Sequence, residues 1–352
     1  MIDPDNMSGL SRRLRQTVQF TRAFKSSGLL FGDWQEATRG FITEALGIRV
    51  SRAAQARIID QRDHQTHETR LLQLTFSSGE TTEAFLLVPA GKARRPAILL
   101  LHDHGSRFDI GKEKLVRPWD DTKALSANEW IHRCYGNRYL GEVLVKRGYI
   151  VLCADALGWG SREGNGYQAQ QALAANLMQF GTSLAAVVAA EDLEAALFLR
   201  ALPEVDDRYV ASMGFSFGGY RAWQVAALTE SISASVAVCW MGRLTGLMEP
   251  GANLLRGQSA YYMLHPPLAG KLDYPDIAAL IAPRPGLFFA GDRDPHFPRE
   301  AVAGAFSELT ESWSAANACR ELETRIWPSG HEFPVAQQEA AIQWLDQLSD
   351  QH

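Results

Sequence analysis

Short apolar runs bounded by turn residues recur along this chain with helix-length segments between them, and this alternation limits the fold more than any other feature. Pro96 to Leu101 is continuous and apolar, and it ends at His102. A run of that kind suits a strand buried on both faces. The segment Tyr139 to Arg147 has helical character, stops at Gly148 and leads into Tyr149-Ile-Val-Leu-Cys-Ala-Asp155, the helix-stop and strand-start order of a β-α-β unit. Ala-rich Leu184 to Leu202 then predicts a helix, Arg208 to Gly214 a strand and Tyr220 to Leu228 a helix. Ser233 to Trp240, Gly286 to Gly291 and Glu321 to Trp327 predict further strands, and Val335 to Leu348 a closing helix. The pattern predicts an α/β fold, with a mostly parallel central sheet and helices on both faces.

Residues 1–68 precede this pattern and predict an N-terminal helical extension, with helices near Ser11 to Phe24 and Asp33 to Leu46. The main domain, 69–352, opens on a strand pair at Arg70 to Phe76 and Ala84 to Val88. Two connections, 105–137 and 242–274, are longer than usual. Long loops at strand ends are where pockets are built, so both are candidate pocket walls or a small cap.

Charge and composition exclude several classes of function. Lys and Arg number 35 against 40 Asp and Glu, a net charge of −5, and no long basic cluster exists, so nucleic acid is not an expected partner. No run has the ~18 apolar residues of a membrane span, and the N-terminus lacks a signal-like stretch, which predicts a cytoplasmic protein with no membrane partner. Cys134, Cys153, Cys239 and Cys319 are widely spaced, with no C-x-x-C pair, and read as reduced structural residues. The oligomeric state stays open, a homo-oligomer included.

The most specific signal is Gly214-Phe215-Ser216-Phe217-Gly218-Gly219, a G-x-S-x-G placed between a predicted strand and a predicted helix. That context fits a nucleophile elbow, in which the serine takes a strained conformation and the glycines admit the adjacent backbone. The Phe217 N–H, at the start of the following helix, would then point at an oxyanion. Serine alone is a poor nucleophile and needs a base with an orienting acid. Candidates follow later strands: Gly291-Asp292-Arg293-Asp294-Pro295-His296 supplies an acid, and Ser329-Gly330-His331 a base. Asp292 is the alternative acid and His296 the alternative base.

With these residues the chain resembles α/β-hydrolases of the dienelactone-hydrolase, acetyl-xylan-esterase and prolyl-oligopeptidase-like group from about residue 69 onward. The marks are Leu101-His102-Asp103-His104-Gly105, Asp155-Ala-Leu-Gly158-Trp-Gly160-Ser161, Pro203-Glu-Val205-Asp206, the elbow with Tyr220-Arg221, and Gly291-x-x-Asp294. The resemblance implies that Asp294 is the triad acid and His331 the base. Dienelactone hydrolases usually carry cysteine as nucleophile; Ser216 here favours the esterase branch.

The same resemblance places the second oxyanion donor after the third strand of the fold, with the Ser106 N–H first and Gly105 as runner-up. His102 and His104 spell H-x-H, but no nearby partner completes a metal site, and no metal or cofactor is expected. Arg107, Lys112 and Lys114 are candidates for an anionic substrate group, with a solvated loop as the alternative; Trp159, Tyr220 and Trp240 are candidates for a pocket lining, with packing as the alternative, and Arg221 reads as structural. The expected function is hydrolysis of small acyl esters through an acyl-enzyme, with a small-molecule ester as partner. A peptidase or amidase, a lactonase or thioesterase, and a non-catalytic binding protein are the rivals.

Overall fold

In the computed structural model, residues 4–350 are described apart from 49, 51 and 258. Nine strands, β1 (Gln55–Asp63), β2 (His67–Thr75), β3 (Thr81–Pro89), β4 (Arg95–Leu101), β5 (Ile150–Ala154), β6 (Val205–Phe215), β7 (Ala234–Val238), β8 (Gly286–Gly291) and β9 (Leu322–Trp327), share one sheet. Their order is β1-β2-β3-β5-β4-β6-β7-β8-β9. The first three and β5 pair antiparallel, whereas β5, β4, β6, β7, β8 and β9 run parallel. Ile98 of β4 lies between Val151 of β5 and Ala211 of β6, which makes β4 a central strand and explains its unbroken apolar run.

The chain begins with helices α1 (Gly9–Thr17), α2 (Phe24–Ser27) and α3 (Phe31–Leu46). Between the strands come α4 (Ala124–Cys134), α5 (Leu140–Lys146), α6 (Gly166–Gln179), α7 (Leu184–Ala201), α8 (Phe217–Leu228), α9 (Leu244–Leu247), α10 (Tyr274–Ala278) and α11 (Arg299–Ala315), and α12 (Val335–Asp350) closes the chain. Side chains of β4 alternate between two cores. Ala97, Leu99 and Leu101 face the core shared with α3, α7, α8, α10 and α11; Ile98 and Leu100 face α4, α5 and α12. The expected class, helices on both faces of a mostly parallel sheet, is the one observed. No single helix among the described residues is long and apolar enough to cross a membrane.

The helical extension expected up to residue 68 requires correction. Its α3 is helical because Phe31, Trp34, Thr38, Ile42 and Leu46 recur on one buried face, and Gly47 at φ 64° ends it. Beyond this helix, Gln55–Asp63 is a strand of the main sheet rather than part of a helical segment. All nine of its residues are exposed, so no apolar alternation marks it in the sequence. The long connections also carry unexpected structure: α4 lies within 105–137, and α9 and the start of α10 lie within 242–274.

Gly40 sits on the exposed side of α3, where an added β-carbon would meet nothing within 4 Å. Gly40→Ala is therefore expected to stabilise the protein by about 0.5–1 kcal/mol, because alanine loses less backbone entropy in a helix. Denaturant unfolding of the two proteins measures this; an unchanged midpoint would contradict it.

Candidate active site

At the end of β6 the chain turns through Ser216, at φ 54° and ψ −125°, directly into α8. Serine takes this left-handed conformation at a cost, and the surroundings hold it there. The Ser216 N–H donates to Val238 O of β7 at 2.8 Å. The neighbouring glycines are steric requirements. A β-carbon on Gly214 would stand 2.3 Å from the Gly218 carbonyl, and one on Gly218 only 2.0 Å from Leu101 O at the end of β4.

Ser216 Oγ lies 2.8 Å from His331 Nε2, and His331 Nδ1 lies 2.6 Å from Asp294 Oδ2. A carboxylate only accepts, so the proton sits on Nδ1 and Nε2 accepts from the hydroxyl. The Asp294 side chain is fully buried, and its other oxygen accepts from His296 N at 2.8 Å. Gly291 holds the acid and base loops together, since a β-carbon there would stand 2.4 Å from Gly330 O.

The two rivals lie differently. The Asp292 carboxylate faces Arg293 at 3.5 Å near the surface, and among the described residues it makes no hydrogen bond or ion pair with His331. His296 packs edge-on against the His331 ring, with centroids 4.7 Å apart, and lines the cavity beside it. Cys239 was not anticipated as a neighbour of these groups. It holds φ 53°, donates to Glu332 O, and brings its sulfur close to both Asp294 and His331. Burial, together with the Asp294 charge, pushes its thiol far above the ordinary range, so it remains protonated. No sequence pattern signals this contact, which arises where β7 meets β8.

A cavity of about 430 Å³ opens over Ser216. Its walls include Trp130, Arg133, Tyr167, Trp240, Met263 and Phe297, so α4, inside the first long connection, and Ser259 and Met263, inside the second, contribute to it. The turn from Asp103 to Ser106 borders the same space as Ser216 and Phe217. Among the described residues, Phe217 N–H has no acceptor.

Four expectations at the site need correction. The Ser106 N–H donates to His104 Nδ1 at 3.2 Å, so the turn consumes it, whereas the N–H groups of Gly105 and His104 bond no described residue. Arg107 pairs with Glu129 and does not line the cavity. Trp159 is fully buried, with Nε1 donating to His104 O at 2.9 Å beneath the turn. Tyr220 is likewise buried, and its hydroxyl lies 2.7 Å from His265 Nε2 in the core under α8. Of the candidate lining residues, Trp240 is the one brought to the cavity.

The presumed solvated loop is also buried. Lys112 Nζ contacts Asp155 and Glu113, each at 2.8 Å, and Lys114 is fully enclosed. Arg221 forms a buried two-pronged pair with Asp192 at 2.8 and 2.6 Å, a structural placement as expected. All ring nitrogens of His102 and His104 bond protein groups: Asp103 O and Ala156 N for the first, Ser106 N and Gln170 for the second. Burial and the nearby Lys114 charge lower the His104 pKa to about 3, so its ring is neutral.

The sheet and elbow define an α/β-hydrolase. In sequence, the family model of the dienelactone hydrolase family matches residues 131–346, and the chain belongs to that family. It is 28% identical over 288 residues to YtaP of Bacillus subtilis (strain 168), a protein assigned as a hydrolase; the match covers 82% of this chain and 89% of YtaP. Among solved structures, it is similar to a Bacteroides fragilis NCTC 9343 protein assigned as an acetyl xylan esterase, with TM-score 0.68, 16% identity and coverage of 94% and 84% of the two chains. A glucuronoyl esterase from Solibacter usitatus has TM-score 0.63 at 13% identity, covering 94% and 97%. At these identities the structural likenesses establish the fold.

The geometry separates the two acids. Asp294→Asn is expected to slow phosphonylation of Ser216 by a fluorophosphonate about 10³-fold or more, by analogy with loss of an orienting triad carboxylate. Asp292→Asn should change that rate by no more than about twofold, as for an exposed ion pair. Mass spectrometry over time reads both rates, and the reverse ranking would move the acid to Asp292.

Proposed function

We propose that this hydrolase cleaves carboxylic esters of small acyl groups through a covalent acyl-enzyme on Ser216. The observation that carries the reading is the continuous hydrogen-bonded line from Asp294 through His331 to Ser216 at the floor of an open cavity. As Ser216 Oγ attacks the ester carbonyl, His331 Nε2 takes its proton; Asp294 keeps the imidazole in the required tautomer and stabilises its cation. The carbonyl oxygen becomes an oxyanion beside the N–H groups of Phe217, His104 and Gly105, none of which has an acceptor among the described residues. His331 returns the proton to the departing alcohol. A water activated by the same nitrogen then attacks the acyl carbon, releasing the acid and restoring Ser216.

Cavity size and composition support small substrates. A space of about 430 Å³ lies at the lower end of small-molecule sites and holds a short acyl group with part of its alcohol. The rings of Trp130, Trp240 and Phe297 offer flat apolar walls, and the Tyr167 hydroxyl, hydrogen-bonded to Ser106 Oγ, adds a polar edge, a mixture suited to an acylated carbohydrate or similar alcohol. The esterase names of the structural neighbours agree with this choice.

Intact-mass analysis after fluorophosphonate treatment is expected to show one adduct, absent from Ser216→Ala. A series of p-nitrophenyl esters from acetyl to dodecanoyl should give the highest kcat/KM at the short end. A folded native protein that takes no label would refute the nucleophile assignment. Faster cleavage of aminoacyl anilides than of any ester would replace the esterase reading with a peptidase one.

A further inference from the structure

The acyl-transfer reading leaves one buried cation without a role. Lys114 is wholly enclosed, yet no carboxylate lies within ion-pair distance of its ammonium among the described residues. Its Nζ instead donates to two consecutive main-chain carbonyls, Asp103 O at 2.9 Å and His104 O at 2.8 Å. The indole rings of Trp130 and Trp159 flank it, with centroids 5.7 and 5.6 Å away. Burying an ammonium is costly, and two neutral carbonyls offset that cost less well than a carboxylate does. Burial accordingly lowers the Lys114 pKa to about 8.

What this arrangement fixes is the direction of two peptide groups. Asp103 O also accepts from His102 Nδ1 at 2.9 Å, and His104 O from Trp159 Nε1 at 2.9 Å, so each carbonyl has two donors. In a trans peptide the N–H points opposite to the C=O. The peptides that join Asp103 to His104 and His104 to Gly105 are both trans. With the carbonyls drawn toward Lys114, the N–H groups of His104 and Gly105 are turned the other way, and neither has an acceptor among the described residues. Leu101 of the same strand end touches Gly218 in the elbow, and the turn shares its cavity with Ser216 and Phe217.

We infer that Lys114 is a positioning residue for the oxyanion site, holding the two carbonyls so that the N–H of His104, with that of Gly105 beside it, faces the acyl oxygen on Ser216. This rests on the acyl-transfer reading. The bonds from the ammonium also polarise both peptides, which strengthens their N–H groups as donors. Lys114 itself stays behind the turn, away from the reacting atoms.

Selective labelling makes the turn visible. The chain contains two Asp–His peptides, Asp63–His64 and Asp103–His104, so carbonyl-13C aspartate with 15N histidine isolates two amide signals, which His64→Gln then tells apart. When a fluorophosphonate modifies Ser216, the His104 amide proton is expected to move downfield while that of His64 stays in place. Lys114→Met, which keeps the length and removes the donors, should lower kcat for p-nitrophenyl acetate about 10²-fold, the scale of losing one oxyanion donor, with KM within about threefold. It should also abolish the His104 displacement.

A native protein phosphonylated at Ser216 whose His104 amide does not move would overturn the inference. So would a folded Lys114→Met enzyme that retains kcat within about threefold, well short of a lost oxyanion donor. Should Lys114→Met fail to fold, Trp159→Phe removes a different donor from the same His104 carbonyl. A drop in kcat of about tenfold at constant KM then supports the positioning role, and an unchanged kcat refutes it. If the native protein takes no phosphonyl group at Ser216, the acyl-transfer reading itself fails, an outcome distinct from all of these.

Discussion

At the elbow the Gly218 α-carbon lies so close to β4 that a β-carbon would stand 2.0 Å from the Leu101 oxygen. The contact joins the end of β4, from which the 103–106 turn departs, to the start of α8, from which the Phe217 N–H projects. Gly214 permits the same approach from the β6 side, and Gly219 fits against Val238 of β7. Ser216 can hold φ 54° because its neighbours on both sides are locked by these contacts. A larger residue at any of these glycines would separate the nucleophile from the groups arranged around it.

Much of this plan could be read from the sequence. The central strands announce themselves because burial on both faces demands apolar runs, as in Pro96 to Leu101. Gly214 to Gly219 is legible because steric crowding restricts which residues can occupy it. Ser216, His331 and Asp294 follow from chemistry that needs a nucleophile, a base and an acid at strand ends, and the structure does bring these three together. What escaped was set by partners distant in sequence. Lys112 and Lys114 look like any charged loop until Asp155 and two main-chain carbonyls enclose them. Ser106 was a reasonable donor by position, but the His104 ring folds back and takes its N–H. Tyr220 and Trp159 are as aromatic as Trp240, and only tertiary placement separates core from cavity.

Buried charge is concentrated around the loops that shape the site. Asp155, at the end of β5, accepts from the Lys112 N–H, the Lys112 ammonium and the Ser161 N–H, each at 2.8 Å. Arg162 pairs with Glu191 and Arg221 with Asp192, tying the loop after β5 and helix α8 to helix α7. Such pairs add little net stability compared with apolar packing, yet losing one partner is severely destabilising. Their effect here is directional. Each anchors a loop end in one orientation, which apolar contacts alone, being non-directional, do so less strictly.

The outermost strand has a different character. β1 hangs on the sheet by the single ladder it shares with β2, with all nine residues exposed and a bulge between Ile58 and Asp60. Little apolar area is lost when it detaches, so the sheet should open earlier at this edge than at β5, β7 and β8, whose residues are all buried. The reacting groups hang from β6, β8 and β9, separated from β1 by several intervening strands. Loosening at the β1 edge is thus remote from the chemistry, and β1 can detach while the distances around Ser216 stay fixed.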